Sequence, residues 1–212
     1  MHTRMVLLAA ALLACGCANY TTLQTADVLP KGSSEFGIGG SLNKYETQYG
    51  TSRDSLRHGA RLPALLLWYR RGLTPRLDIG LFGWLPLGFR TELKYQLAGS
   101  PGRNGLALSL GATAGYTYVN KEGLALSVIE AHTAVYLGYD ISTIVSLYAV
   151  PRYIVRCSFD SDRLGFGHAL AATGGLVLGR RFPFFVEGTC GYDAAAGEAL
   201  YSGAVGVGFR SR

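Results

Sequence analysis

The chain has 212 residues and a net charge of +6, from 20 Lys and Arg against 14 Asp and Glu. Charged residues make up only 16% and hydrophobic ones 49%, which excludes a disordered chain. The 29 glycines follow no triplet repeat, which excludes collagen, and so much glycine argues against a helical bundle.

Residues 1–17 read MHTRMVLLAAALLACGC. Arg4 gives a short positive start, and an apolar stretch of about ten residues follows. A helix needs ~20 apolar residues to span a bilayer, so this segment reads as a cleaved secretory signal. It ends Leu12-Leu13-Ala14-Cys15-Gly16-Cys17. A large aliphatic residue, small residues and then cysteine resemble the lipobox of bacterial lipoproteins. That resemblance implies a lipid on Cys15, with Cys17 as the alternative, after removal of residues 1–14. No Asp follows either cysteine, so the resemblance implies sorting to the outer membrane, with lipoprotein-processing machinery as a partner. Two or three acyl chains anchor firmly, because each buried CH₂ contributes ~0.8 kcal/mol. Residues 15–33 are polar and aperiodic and read as a lipidated tether.

Residues 34–212 carry no sustained helical period. Apolar and small residues alternate instead, broken by Gly, Pro, Asn and Asp. Ten strands are expected, with a margin of eight to twelve: 35–43, 62–72, 76–85, 88–98, 105–118, 123–137, 143–157, 165–179, 182–193 and 199–210. The clearest pair flanks Pro86. Leu77, Ile79 and Leu81 share one face of the first strand, with Asp78, Gly80 and Phe82 opposite. Phe89, Thr91, Leu93, Tyr95 and Leu97 share one face of the second, with Arg90, Glu92, Lys94 and Gln96 opposite. Asp78 and Lys94 are then expected as diagonal neighbours.

Several strands exceed the ~9–11 residues that cross a bilayer at a tilt. Aromatic residues mark strand ends: Trp68, Tyr69, Trp84, Phe89, Tyr95, Tyr116, Tyr118, Tyr139, Phe182 and Tyr192. The last strand alternates Tyr201, Gly203, Val205, Val207 and Phe209. These features resemble the small outer-membrane β-barrel proteins of bacteria. The resemblance implies an all-β, antiparallel, up-and-down transmembrane barrel in the bacterial outer membrane. Membrane lipid and barrel-assembly machinery are the implied partners. The longer connections, 44–61 and 158–164, are expected on the outer side. Both termini are expected in the periplasm, with the lipid in the inner leaflet.

Motifs for nucleotide binding, hydrolase and zinc chemistry are absent from the sequence. Cys157 and Cys190 lack ligand spacing, so neither metal nor cofactor is expected. Basic residues are scattered without a dense run, so nucleic acid is not an expected partner. The nearest approach to a catalytic set is Ser127, Glu130 and His132. Glu130 and His132 share a face, which suits a carboxylate-oriented base, but Ser127 has the opposite parity. Asp78, Arg90, Glu92, Lys94, Glu130, His132, Arg152 and Glu187 are expected in the lumen. Their near-balanced charge favours a narrow, plugged barrel with a structural or surface role and no catalysis. The alternatives are a narrow porin-like channel, a periplasmic ligand-binding β-sandwich lipoprotein and a lipid-modifying barrel enzyme. The sequence leaves the oligomeric state open.

Overall fold

The computed structural model describes residues 21–47, 58–85, 88–99, 105–121, 124–160, 163–194 and 197–211. The described residues form ten strands: β1 Ser34–Thr47, β2 His58–Thr74, β3 Leu77–Leu85, β4 Gly88–Ala98, β5 Gly105–Lys121, β6 Leu124–Asp140, β7 Val145–Asp160, β8 Arg163–Leu178, β9 Phe184–Asp193 and β10 Glu198–Ser211. Each strand pairs antiparallel with its sequence neighbours, and β1 pairs with β10 to close a barrel. Closure removes every sheet edge, so no row of backbone donors and acceptors is left unpaired.

Period-two alternation places the faces. On β3 the odd residues Ile79 and Leu81 point out, while Asp78, Phe82 and Trp84 point in. On β4, Phe89, Leu93, Tyr95 and Leu97 are exposed, and Arg90, Glu92, Lys94 and Gln96 are buried. The outer wall therefore carries large apolar side chains all round, including Phe36, Leu106, Leu110, Leu147, Phe184 and Phe209. The polar residues turn inward, the reverse of a soluble β-sandwich with an apolar core. The small residues Ala107, Ser109, Gly111, Thr113 and Gly115 of β5 line the lumen.

Four details correct the expected arrangement. Trp68 and Trp84 lie in the lumen rather than at an outer aromatic belt, because they share parity with Arg70 and Phe82. The β3–β4 register pairs Trp84 with Gly88 and Asp78 with Lys94, so those two charges face each other directly. The expected 158–164 connection is mostly strand, because β7 runs to Asp160 and β8 starts at Arg163. The expected loop 44–61 shrinks to the β1–β2 connection, whose residues 48–57 lie outside the described ones. Signal residues 1–14 and both candidate lipidation sites, Cys15 and Cys17, also lie outside the described residues.

The rim where β1 begins is here called the near rim. It holds the turns after β2, β4, β6 and β8 and the end of β10. The β6–β7 ladder is interrupted opposite Pro151, between Ala134–Arg152 and Leu137–Ala149. Proline has no N–H to give there.

The largest departure concerns residues 21–29. Expected as part of a tether leading to the first strand, they run inside the barrel. Thr21, Thr22, Leu23, Gln24, Thr25, Ala26, Val28 and Leu29 are all buried. Leu23 and Ala26 join a core of Trp68, Phe82, Trp84, Tyr136, Tyr148 and Phe185. Full burial of a side chain such as Leu23, Val28 or Leu29 contributes about 1.5–3 kcal/mol.

Candidate functional site

The site is the lumen and the segment it holds. At the near rim, Pro30 to Ser33 form a turn closed by the Ser33 N–H on the Pro30 carbonyl at 2.9 Å. Gly32, with φ of 81°, supplies the left-handed position. The Gly32 N–H donates to the Gly72 carbonyl at 2.9 Å, and the Gly72 N–H to the Ser33 carbonyl at 3.0 Å. A Cβ on Gly72 would fall 2.2 Å from the Pro30 carbonyl oxygen, so glycine is what lets the segment turn inward here.

Deeper in, the wall reads the segment's backbone. Carboxylates take its N–H groups and cations take its carbonyls. Asp78 Oδ2 accepts from the Leu29 N–H at 3.0 Å. Gln96 Oε1 accepts from the Val28 N–H at 3.3 Å. Lys94 Nζ donates to the carbonyls of Thr25 at 2.9 Å and Asp27 at 3.0 Å, and to Gln24 Oε1 at 3.2 Å. Ser109 Oγ donates to the Ala26 carbonyl at 2.5 Å. The Gln24 amide donates to Glu92 Oε1 at 2.5 Å, and Tyr136 donates to the same oxygen at 2.7 Å.

Glu187 makes the most specific contact. Its two oxygens accept the successive N–H groups of Thr22, at 2.5 Å, and Leu23, at 2.8 Å. Leu23 has φ of 45°, a left-handed conformation. That geometry resembles the concave turns whose adjacent N–H groups hold anions. Tyr148 OH adds a third bond to Glu187 at 2.6 Å. Arg152 bridges the hydroxyls of Thr22 and Thr173, and Arg90 donates to the Thr21 carbonyl.

Two charged residues the sequence reading left out complete the near half. Arg70 holds Asp78 at 2.5 Å and sits 3.6 Å from Glu35. Glu35 also receives Trp68 Nε1 at 3.0 Å and Arg210 at 2.5 Å. Arg70 shares parity with Trp68 and was findable once Trp68 was turned inward. Gln24 was missed because residues 21–33 carry no periodicity to place it; Tyr136 and Tyr148 share the inward parity of Glu130 on β6 and Arg152 on β7 and were findable from that alternation.

Asp27 lies outside the strands, at a near-rim cavity of about 690 Å³ that Asp140, Arg180, Arg181 and Arg210 also line. Burial raises the Asp27 carboxyl above the usual carboxylate range, and the Asp140 charge raises it further, against Lys94, Arg210 and a Gln96 hydrogen bond.

No family model matches the chain. No curated protein sequence matches it either. Among solved structures, an outer-membrane channel from Pseudomonas putida F1 is similar with a TM-score of 0.52 at 10% identity, covering 90% of this chain and 100% of that one. The fold is that of an outer-membrane β-barrel. Neisserial surface protein A (NspA) aligns with a TM-score of 0.42 at 12% identity, over 85% of this chain and 98% of that one. Ail, the attachment invasion locus protein of Yersinia pestis, aligns at 0.41 and 13% identity, over 85% and 99%.

Of the expected lumen residues, Asp78, Arg90, Glu92, Lys94, Glu130, His132, Arg152 and Glu187 are all buried. They do not simply neutralise one another, as expected; most of them bind the segment. Glu130 and His132 are the exception, meeting at 3.4 Å in the far half of the lumen. Ser127 does not join them. Its hydroxyl bonds the Tyr116 hydroxyl at 3.0 Å, on the opposite face of β6. Cys157 and Cys190 are free thiols, the latter exposed on the outer wall. Among the described residues no His, Cys, Asp and Glu cluster is suited to a metal.

Proposed function

We propose that the chain is a bacterial outer-membrane barrel lipoprotein whose lumen is closed by its own N-terminal segment. It serves a structural or surface role rather than catalysis or solute passage. The lumen wall carries the reading: carbonyls and N–H groups of residues 21–29 are taken up by charged side chains from β3, β4 and β9. A pore would leave those groups facing water. The Pseudomonas barrel is named a channel; here the corresponding interior is occupied. Ser127 stands away from Glu130 and His132, which supports the non-catalytic reading.

The apolar outer wall and inward charges support a transmembrane barrel, and the Leu12–Cys17 pattern supports an N-terminal lipid. Extraction separates the two. A Cys15→Ser, Cys17→Ser double variant is expected to remain in the membrane pellet after carbonate or urea washing, and to migrate differently before and after boiling. Release into the wash would mean that only the lipid held the protein. Intact mass of the wild-type N-terminal peptide checks the acyl groups and distinguishes Cys15 from Cys17.

A further inference from the structure

The segment does not fill the near rim evenly. Residues 25–32 lean on β2 to β5. Gly32 bonds Gly72, Leu29 bonds Asp78, Thr25 and Asp27 bond Lys94, and Ala26 bonds Ser109. The opposite side of the near rim, toward β7, β8 and β10, is left open. It holds the cavity of about 690 Å³, where Ser146, Val177, Arg181 and Arg210 face Asp27. Small-molecule sites span roughly 300–1,000 Å³, so the space is of that kind.

The cavity carries charges of both signs. Asp27 and Asp140 are half-buried, whereas Arg180 and Arg181 are exposed on the β8–β9 turn. Asp27 receives a long hydrogen bond from the Gln96 amide at 3.4 Å, and among the described residues no salt bridge reaches it. Asp140 takes the Ser146 hydroxyl at 2.5 Å and has Arg180 at 4.0 Å. The two carboxylates act on each other, since the Asp140 charge helps to raise Asp27. On the basic side, Arg210 gives Nε to Glu35, and the Arg181 guanidinium lies 5.9 Å over the Phe182 ring.

A plain anion here would meet two carboxylates, and a plain cation three guanidinium groups. A molecule with an ammonium at one end and an acid group at the other meets both sets in the favourable sense. The guanidinium fork suits a carboxylate or a phosphate, and Pro30 and Val177 offer apolar contact to the carbons between the two ends. We propose that this cavity binds a small zwitterion carrying a primary ammonium and a carboxylate or phosphate. Asp27 and Asp140 hold the ammonium, and Arg181 and Arg210 hold the acid group. The site lies on the near-rim side of the closed lumen, so it depends neither on the lipid nor on conduction.

The test uses the full chain folded in a non-ionic detergent. It is titrated by calorimetry with glycine, β-alanine, γ-aminobutyrate and O-phosphoethanolamine. Putrescine and succinate serve as controls with a single sign of charge. At least one zwitterion is expected to bind at millimolar concentration, more tightly than either control. Asp27→Asn should weaken that binding about tenfold, because a half-buried charge loses its partner. Arg181→Gln should weaken it about threefold, as befits an exposed pair. Heat-modifiable migration confirms that both variants are folded. Titration in vesicles containing phosphatidylethanolamine distinguishes the source. Suppressed binding there assigns the site to that lipid's headgroup, and unchanged binding assigns it to a soluble zwitterion. Putrescine or succinate binding as tightly as every zwitterion overturns the proposal. So does zwitterion binding that is unchanged in both variants, or a wild type that binds none of the zwitterions.

Discussion

Single side chains in this lumen act as backbone receptors, and their removal should cost accordingly. Lys94 is fully buried and serves the Thr25 and Asp27 carbonyls and Gln24 Oε1, beside Asp78 at 3.8 Å. Lys94→Met leaves those buried acceptors without their donor and Asp78 with Arg70 as its remaining cation. A loss of about 3–5 kcal/mol is expected, read by urea unfolding in lipid vesicles. Glu187→Gln is milder. The amide NH₂ replaces one of the two acceptor oxygens and faces the Thr22 or Leu23 N–H donor, so about 1–3 kcal/mol should be lost. Asp27 gives a pH signature. Its carboxyl is raised, so the folded chain holds that proton more tightly than the unfolded one. Its contribution favours folding at acid pH and is lost as pH rises from the ordinary carboxylate value through the raised one. Asp27→Asn should flatten that part of the stability-versus-pH curve; an unchanged curve would show that Asp27 is not held in this environment.

At the scale of elements, the strands were legible because alternation is a local signal. All ten expected strands are present, and the polar face of Phe89–Leu97 lines the lumen as its parity requires. Turn geometry was less legible. The β3–β4 hairpin register depends on residues 86–87, and a two-residue difference there turns a diagonal Asp78–Lys94 pair into a direct one. Residues 21–33 were illegible as structure. Their conformation is set by partners up to 165 residues away in sequence, as for Thr22 and Glu187, and nothing in their own pattern signals it. The wall nonetheless prepares for them. A Cβ on Gly138 would lie 2.8 Å from the Ala26 Cβ. Gly138→Leu should therefore push the segment off this side of the wall while leaving the β5–β6 ladder paired. The expected readout is faster protease cleavage within residues 21–29, with the barrel core still resistant.

For the whole molecule, the proposed closed lumen rests on the balance between barrel and segment. Ten strands enclose an interior somewhat wider than side chains alone fill in an eight-stranded barrel. The segment takes up that difference with both apolar contacts, at Leu23 and Ala26, and satisfied polar ones. Its deletion should uncover Asp78, Glu92, Lys94, Arg152 and Glu187 as the lining of a charged pore. Planar-bilayer recording of the purified wild type beside a variant lacking residues 21–29 tests this most directly, with heat-modifiable migration confirming that both are folded. The closed-lumen account predicts no large steady conductance from the wild type and a salt-dependent open conductance from the deletion. Equal, large and steady conductance from the two proteins would contradict it.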